Sequence, residues 1–242
     1  MPPLLSVIIP ALNEEHRLPK NLRHILEFLD VQTYPSEVLV VDSGSQDRTS
    51  AVVERLLSEN PSLRLFREEE RGKGRAVRRG MLEAEGQYRF ICDADLSMPI
   101  ENVNSFLPPQ LEGFDIAIAS REVPGAIRYN EPAYRHWIGR GFNLLVRLLA
   151  VPQFHDTQCG FKCFRAEVAE ELFSIQRLQG WGFDVEVLFL AMKRGHGVVE
   201  VPIPWYFNSD SRVRLLKDSV GMFTDLIQIR RNWRMGIYGP HE

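Results

Sequence analysis

The chain has 242 residues, 44% hydrophobic and 25% charged, the composition of a folded protein with room for one large α/β domain. Lys and Arg total 29 against 32 Asp and Glu, a net charge of -3, which weighs against a general nucleic-acid binder. Three cysteines, Cys92, Cys159 and Cys163, are too few for a disulfide framework and lack a second ligand pair for zinc, so reduced thiols in a cytoplasmic setting are expected.

The opening MPPLLSVIIPALNEE has no basic start before a long apolar run, so no signal peptide is expected. The apolar stretches at 144–152 and 185–192 are broken by charge or proline and fall short of the roughly 20 residues a bilayer requires.

In chain order, residues 4–9 read as a buried parallel strand closed by Pro10, and 13–29 show helical spacing at 18, 22, 25, 26 and 29. A second strand (37–41, EVLVV) leads through DSGSQDRTS into a helix over 51–57. Residues 63–66 predict a third strand, 74–85 a helix, 88–92 (YRFIC) a fourth strand and 114–120 (FDIAIAS) a fifth. This alternation calls for a mostly parallel central sheet with helices on both faces, whose ligands bind outside the carboxyl ends of the strands. Asp42 and Asp93 both fall at such ends.

Residues 121–134 form a polar loop with two prolines and a glycine, a length that favours function and a mobile lid. A largely apolar helix is predicted over 137–151, with Arg140, Asn143 and Arg147 on one stripe. A second apolar helix follows over 180–194, then a strand over 198–203 and an amphipathic helix over 217–231 with basic ends.

Asp93 and Asp95, a DAD turn straight after a hydrophobic strand, can meet one divalent cation from the same side. Gly44, between the small Ser43 and Ser45, would let a ligand approach backbone amides, while Asp47 suits a helix N-cap. Lys73, set between two glycines before a helix, fits a phosphate loop that is not a Walker A sequence.

Taken together, SVIIPALNEE, VLVVDSGSQDRT, RGKGRAVRRGM and FICDADLS occur in the order found in family 2 inverting glycosyltransferases of the GT-A fold, which the chain resembles over about residues 4–234. In the second half, SREVPGA, YRHWIGRGFNLLVRLL, DTQCGFKCF, GWGFDVEVLFLA and VEVPIPWYFNSDSRV resemble the polyprenyl-phosphate branch. The pattern is similar to dolichyl-phosphate β-glucosyltransferases and, more distantly, to dolichyl-phosphate mannose synthases.

The resemblance implies a single domain, with residues 4–120 binding the nucleotide sugar and 121–234 the acceptor. Pro10, Ala11, Asn13, Glu14, Asp42 and Ser43 would line the base and ribose pocket, and Lys73, Asp93 and Ala94 would complete the nucleotide site. Asp95 would be the principal ligand of Mg2+ or Mn2+, with Asp93 and the weaker ligand Ser97 beside it. Arg121, Arg135 and Arg212 match positions that gather the acceptor phosphate or the donor diphosphate, a task suited to the planar guanidinium. Asp156 sits where the branch places a candidate base. A phosphate monoester, with a second pKa near about 6, is already largely dianionic at neutral pH, so Asp156 serves either as base or as a positioning residue.

The implied reaction is metal-dependent glucose transfer from UDP-glucose to a polyprenyl phosphate on the cytoplasmic face of a membrane, by a peripheral enzyme or one with a separate membrane-anchoring partner. Mannose transfer from GDP-mannose, a non-lipid acceptor and a non-catalytic nucleotide-sugar-binding module are the alternatives. A nucleotidyltransferase would carry a glycine-rich basic loop where this chain has PALNEE. The 137–151 helix, and secondarily IRRNW at 229–233, are the expected membrane contacts.

Overall fold

The computed structural model describes residues 2–132, 141, 146–147, 150–207 and 215–239, with side chains in the last segment from 221 onward. Arg135, Arg140, Asn143, Arg212 and most of the 137–151 helix lie outside the described residues.

Seven strands form the central sheet. They are β1 (Leu5–Ala11), β2 (Ser36–Ser43), β3 (Leu63–Glu68), β4 (Tyr88–Ile91), β5 (Ile116–Ser120), β7 (Lys162–Arg165) and β8 (Val198–Pro202), in the order β3-β2-β1-β4-β7-β5-β8. A separate pair joins β6 (Ile127–Tyr129) to β9 (Pro204–Tyr206) in parallel. Every pairing in the large sheet is parallel except those of β7, which runs antiparallel to both β4 and β5.

Alternation along the strands divides the core. Val7, Ile9, Val38 and Val40 face α1 (Leu18–Asp30), α2 (Thr49–Leu57) and a 3-10 turn over Ile100–Phe106. Ile8 and Leu39 face α3 (Lys73–Glu83), α4 (Ala166–Ile175), α5 (Phe183–Lys193) and α6 (Leu215–Arg234). Burial on both faces explains why β1 and β2 read as continuous apolar runs.

Several expected boundaries shift. The first helix begins at Leu18 rather than at residue 13, with Pro19 in its first turn, and 13–17 stay in the loop. The predicted second apolar helix begins at Phe183, which leaves Gly180 and Trp181 in the preceding loop. The expected loop over 121–134 contains the short strand β6. Strand β7 and helix α4 add to the expected elements. No helix among the described residues is long and apolar enough to cross a membrane.

Candidate functional site

The carboxyl ends of β1, β4 and β5, the start of α3 and the loops around 158–160 and 180–181 enclose a cleft of about 400 Å3. Of the residues singled out in the sequence, Pro10, Ala11, Glu14, Ser43, Lys73, Asp93, Ala94, Asp95, Ser97 and Arg121 line it. Asn13, Asp42 and Asp156 are not among its lining residues.

The two aspartates of DAD sit in different environments. Asp93 pairs with Lys73 at 2.7 Å. Burial pushes its carboxyl pKa upward, but the Lys73 ammonium outweighs this and holds it below the ordinary value. Asp95 accepts the Ser97 backbone N–H at 3.0 Å, and its pKa is raised, first by burial and then by repulsion from Asp93. Lys73 also lies over the Trp181 ring at 4.9 Å, at the amino end of α3 where the helix dipole favours anions.

A second cation is fixed in the same manner. Arg121 meets Asp156 through Nε–Oδ2 at 2.7 Å and Nη2–Oδ1 at 3.0 Å, and its guanidinium lies 5.3 Å from the Trp205 ring centre. Asp156 further accepts the backbone N–H groups of Arg121 and Gln158. Burial works against its charge, yet the Arg121 guanidinium brings its pKa down to about 2. With four donors on two oxygens, this carboxylate is saturated. Glu200 on β8 holds the same loop by accepting the N–H groups of His155 and Asp156, and it pairs with the half-exposed His155 ring.

Below Lys73 and Asp93, Lys162 and Asp184 form a fully buried pair at 2.6 Å, and Lys162 also donates to the Cys159 carbonyl. Gly160 packs its backbone on Asp93 so closely that an added Cβ would lie 1.9 Å from Oδ2.

The βα loops after β1 and β2 are zipped together. Ser45 Oγ accepts the Asn13 N–H at 2.7 Å, Asn13 Oδ1 accepts the Gln46 N–H at 2.7 Å, and Thr49 Oγ1 accepts the Glu14 N–H at 2.6 Å. Asp42 is buried, with its oxygens taken by the Ser45 N–H and the Ser50 hydroxyl. Asp47 accepts the Thr49 N–H and the Glu15 N–H, but the N-cap of α2 is Arg48, so Asp47 lies one residue ahead of the cap position expected for it. Gly44 has φ +72 and a Cβ there would meet the Glu69 carbonyl at 2.9 Å, so the turn itself demands glycine.

Sequence reasoning assigned no role to Arg17, Gln158, Gly160, Trp181, Trp205 or Phe207, all of which line the cleft. Gln158 and Gly160 lie inside the quoted motif DTQCGFKCF, Trp181 inside GWGFDVEVLFLA, and Trp205 and Phe207 inside VEVPIPWYFNSDSRV, which is the available signal. Arg17 pairs with Glu14 and carries no motif of its own.

A family model described as Glycosyl transferase family 2 matches residues 6–173. The dolichyl-phosphate beta-glucosyltransferase of Dictyostelium discoideum is 33% identical over 97% of this chain and 76% of its own length. The protein of the same name from Drosophila melanogaster is 35% identical over 97% of this chain and 76% of its own. Among solved structures, glucosyl-3-phosphoglycerate synthase from Mycobacterium tuberculosis, in complex with Mn2+, UDP-glucose and phosphoglyceric acid, superposes with a TM-score of 0.66. It is 20% identical, with 94% of this chain and 79% of that one covered, and the likeness shows the GT-A fold.

Proposed function

Because the chain belongs to glycosyl transferase family 2, we propose that it moves glucose, with inversion, from UDP-glucose to the phosphate of a dolichyl-type polyprenol at the cytoplasmic face of a membrane. The observation that carries the reading is the pair of fixed cations around one cleft. Lys73 is held by Asp93 and Trp181, and Arg121 by Asp156 and Trp205. Two separately anchored cations suit a reaction between two phosphorylated substrates. The likeness to dolichyl-phosphate beta-glucosyltransferases, over 97% of this chain and 76% of theirs, supports glucose as the sugar and a lipid phosphate as the acceptor.

In this reading, Pro10, Ala11, Asn13, Glu14, Asp42 and Ser43 build the base and ribose side, with Asp42 and Asn13 shaping the loops from behind the lining. Lys73 and the start of α3 receive the donor diphosphate. Asp95 and Asp93 are the residues to hold Mg2+ or Mn2+, with Ser97 alongside. The fit is electrostatic: a buried carboxylate destabilised by its neighbour gains from a divalent cation, and such ions bind through one or two carboxylates plus substrate phosphate. When bound, the ion supplies positive charge against the diphosphate that leaves.

Arg121 draws in the acceptor phosphate, together with Arg135 and Arg212 from outside the described residues. The acceptor is largely dianionic at neutral pH and needs no base; its phosphate oxygen attacks the anomeric carbon opposite the C1–O bond that breaks as UDP leaves, so an α-linked donor gives a β-linked product. Asp156, saturated by its four donors, positions Arg121 rather than taking a proton.

The test is incubation of purified protein with Mg2+ or Mn2+, a short polyprenyl phosphate and a panel of nucleotide sugars, read by mass spectrometry of the lipid fraction. A hexosyl-phosphoprenol from UDP-glucose alone, lost on chelation, is the expected result. Product from GDP-mannose alone would overturn the donor. Metal-dependent donor hydrolysis with no lipid product would overturn the acceptor.

A further inference from the structure

The outer face of α6 departs from the rest of the surface. Eight large apolar side chains are exposed among the described residues, and four of them, Phe223, Ile227, Met235 and Ile237, lie on α6 or the turn after it. Phe223, Ile227 and Met235 share a groove of about 410 Å3 with Arg230, Arg231 and Arg234. The positions 223, 227, 230, 231 and 234 recur at helical spacing, so they form one stripe.

The inner side of the same helix is already satisfied. Met222, Leu226 and Ile229 are buried, and Trp233 packs edge-on against Phe189 of α5. Within IRRNW at 229–233, Ile229 and Asn232 point into the core and the arginines face outward.

The charges gather on the same stripe. Arg64, Arg67, Arg75, Arg79, Arg89, Arg121, Arg128 and Arg194 pair with carboxylates, and although Arg23, Arg48, Arg55, Arg71 and Arg177 also make no ion pair among the described residues, it is their shared groove that sets Arg230, Arg231 and Arg234 apart. Arg230, Arg231 and Arg234 are exposed, and among the described residues none of the three has a carboxylate within ion-pair distance. A chain of net charge -3 thus gathers three uncompensated cations around one apolar groove.

We infer that this stripe of α6 docks on a bilayer containing anionic lipids. Aliphatic and aromatic side chains would enter the acyl boundary while the arginines meet lipid phosphates, the arrangement of an interfacial amphipathic helix. The stripe starts at the flank of the cleft. Phe223 is two residues from Asp225, whose carboxylate accepts a backbone hydrogen bond from Gly182, next to the cleft residue Trp181. The inference deepens the lipid-acceptor reading and rests on it for its purpose, since a polyprenyl phosphate presents its head group at such a surface.

The experiment is co-sedimentation of the full chain with vesicles of phosphatidylcholine or of an equimolar phosphatidylcholine–phosphatidylglycerol mixture, without donor or acceptor. It is run beside glucosyl transfer to a short, detergent-soluble polyprenyl phosphate. Wild type should partition onto the anionic vesicles, weakly onto the neutral ones, and less at high salt. The Arg230→Glu/Arg234→Glu variant and the Ile227→Asp variant should each lower partitioning roughly tenfold or more, with far-UV circular dichroism and transfer in detergent unchanged. Unchanged partitioning in both variants, or no binding by wild type, would overturn the assignment. So would a concentration-dependent dimer that Ile227→Asp dissolves, which would give the stripe to a second copy of the chain. Vesicle binding that depends on the stripe, with no transfer to any polyprenyl phosphate, would sustain the docking surface and overturn the acceptor.

Discussion

Arg121 and Asp156 are joined at both prongs of the guanidinium, Nε to Oδ2 at 2.7 Å and Nη2 to Oδ1 at 3.0 Å, and the same carboxylate accepts the Arg121 backbone N–H. The side chain and main chain of Arg121 are therefore held by one acid, which fixes where the cation points into the cleft.

Asp156→Asn should lower kcat/KM for the acceptor by about a hundredfold, while the acid limb of the pH profile keeps its position, set by the acceptor phosphate near about 6. A limb that moves with the substitution would make Asp156 the base. Stability gives an independent reading. The folded pKa of about 2 lies below the unfolded value, so the pair stabilises the fold above about pH 4 and that contribution is lost as pH falls toward 2. The gap in unfolding free energy between wild type and variant, on the order of 2 kcal/mol at neutral pH, should close over that window.

Asp95→Asn should abolish metal-dependent transfer and, in metal-free buffer at neutral pH, leave the melting temperature equal or higher. Its carboxyl pKa is raised above the unfolded value by burial and by Asp93, so the ionised form costs folding free energy that the amide avoids. A lower melting temperature in chelator would contradict this account.

Gly160→Ala places a methyl group 1.9 Å from Asp93 Oδ2, so Asp93 must leave Lys73 or the loop must move. Weakened donor and metal binding is expected, with KM for the donor rising at least about tenfold and circular dichroism unchanged. Normal donor kinetics would show that the Asp93 position is not needed.

Lys162→Met leaves Asp184 buried without the cation that favours its charged form, and should destabilise the fold by about 3–5 kcal/mol in urea titration. The double variant Lys162→Met/Asp184→Leu should recover most of that loss while still impairing transfer. Recovery of full activity would mean that the lower pair does nothing for Lys73 and Asp93.

The parts legible in the sequence were those whose signal is local. The runs LLSVII and EVLVV read as strands because burial on both faces makes them continuously apolar, and Asp93 was placed at a strand end by the YRFIC that precedes it. Strand β7 has only four residues, KCFR, one of them the buried Lys162, and its reversed direction follows from packing that no local pattern carries. Helix α4 shows apolar positions at 168, 169, 172 and 173, a helical spacing confined to ten residues. Trp181 and Trp205 reach Lys73 and Arg121 across long sequence separations, so the cation–indole contacts appear only once the chain is folded. The separation of roles between the two carboxylates of DAD likewise depends on Lys73, twenty residues upstream of Asp93.

The reversed direction of β7 has a consequence for when the site comes into being. Because it enters the sheet where β4 and β5 leave it, with Lys162 beside both Ile91 and Ile118, the 156–160 loop is delivered between Asp93 and Arg121. During synthesis, β1 to β4 emerge first and can pair early, but the sheet stays split between β4 and β5 until residue 165 has been made. A ribosome-bound chain stopped at residue 120 would carry the DAD turn and Lys73 without Gly160 against Asp93 or Asp156 against Arg121. Assembly of the cleft thus begins late in translation, when a single short strand closes the seam, and is completed later still, when Trp181 and Trp205 reach Lys73 and Arg121.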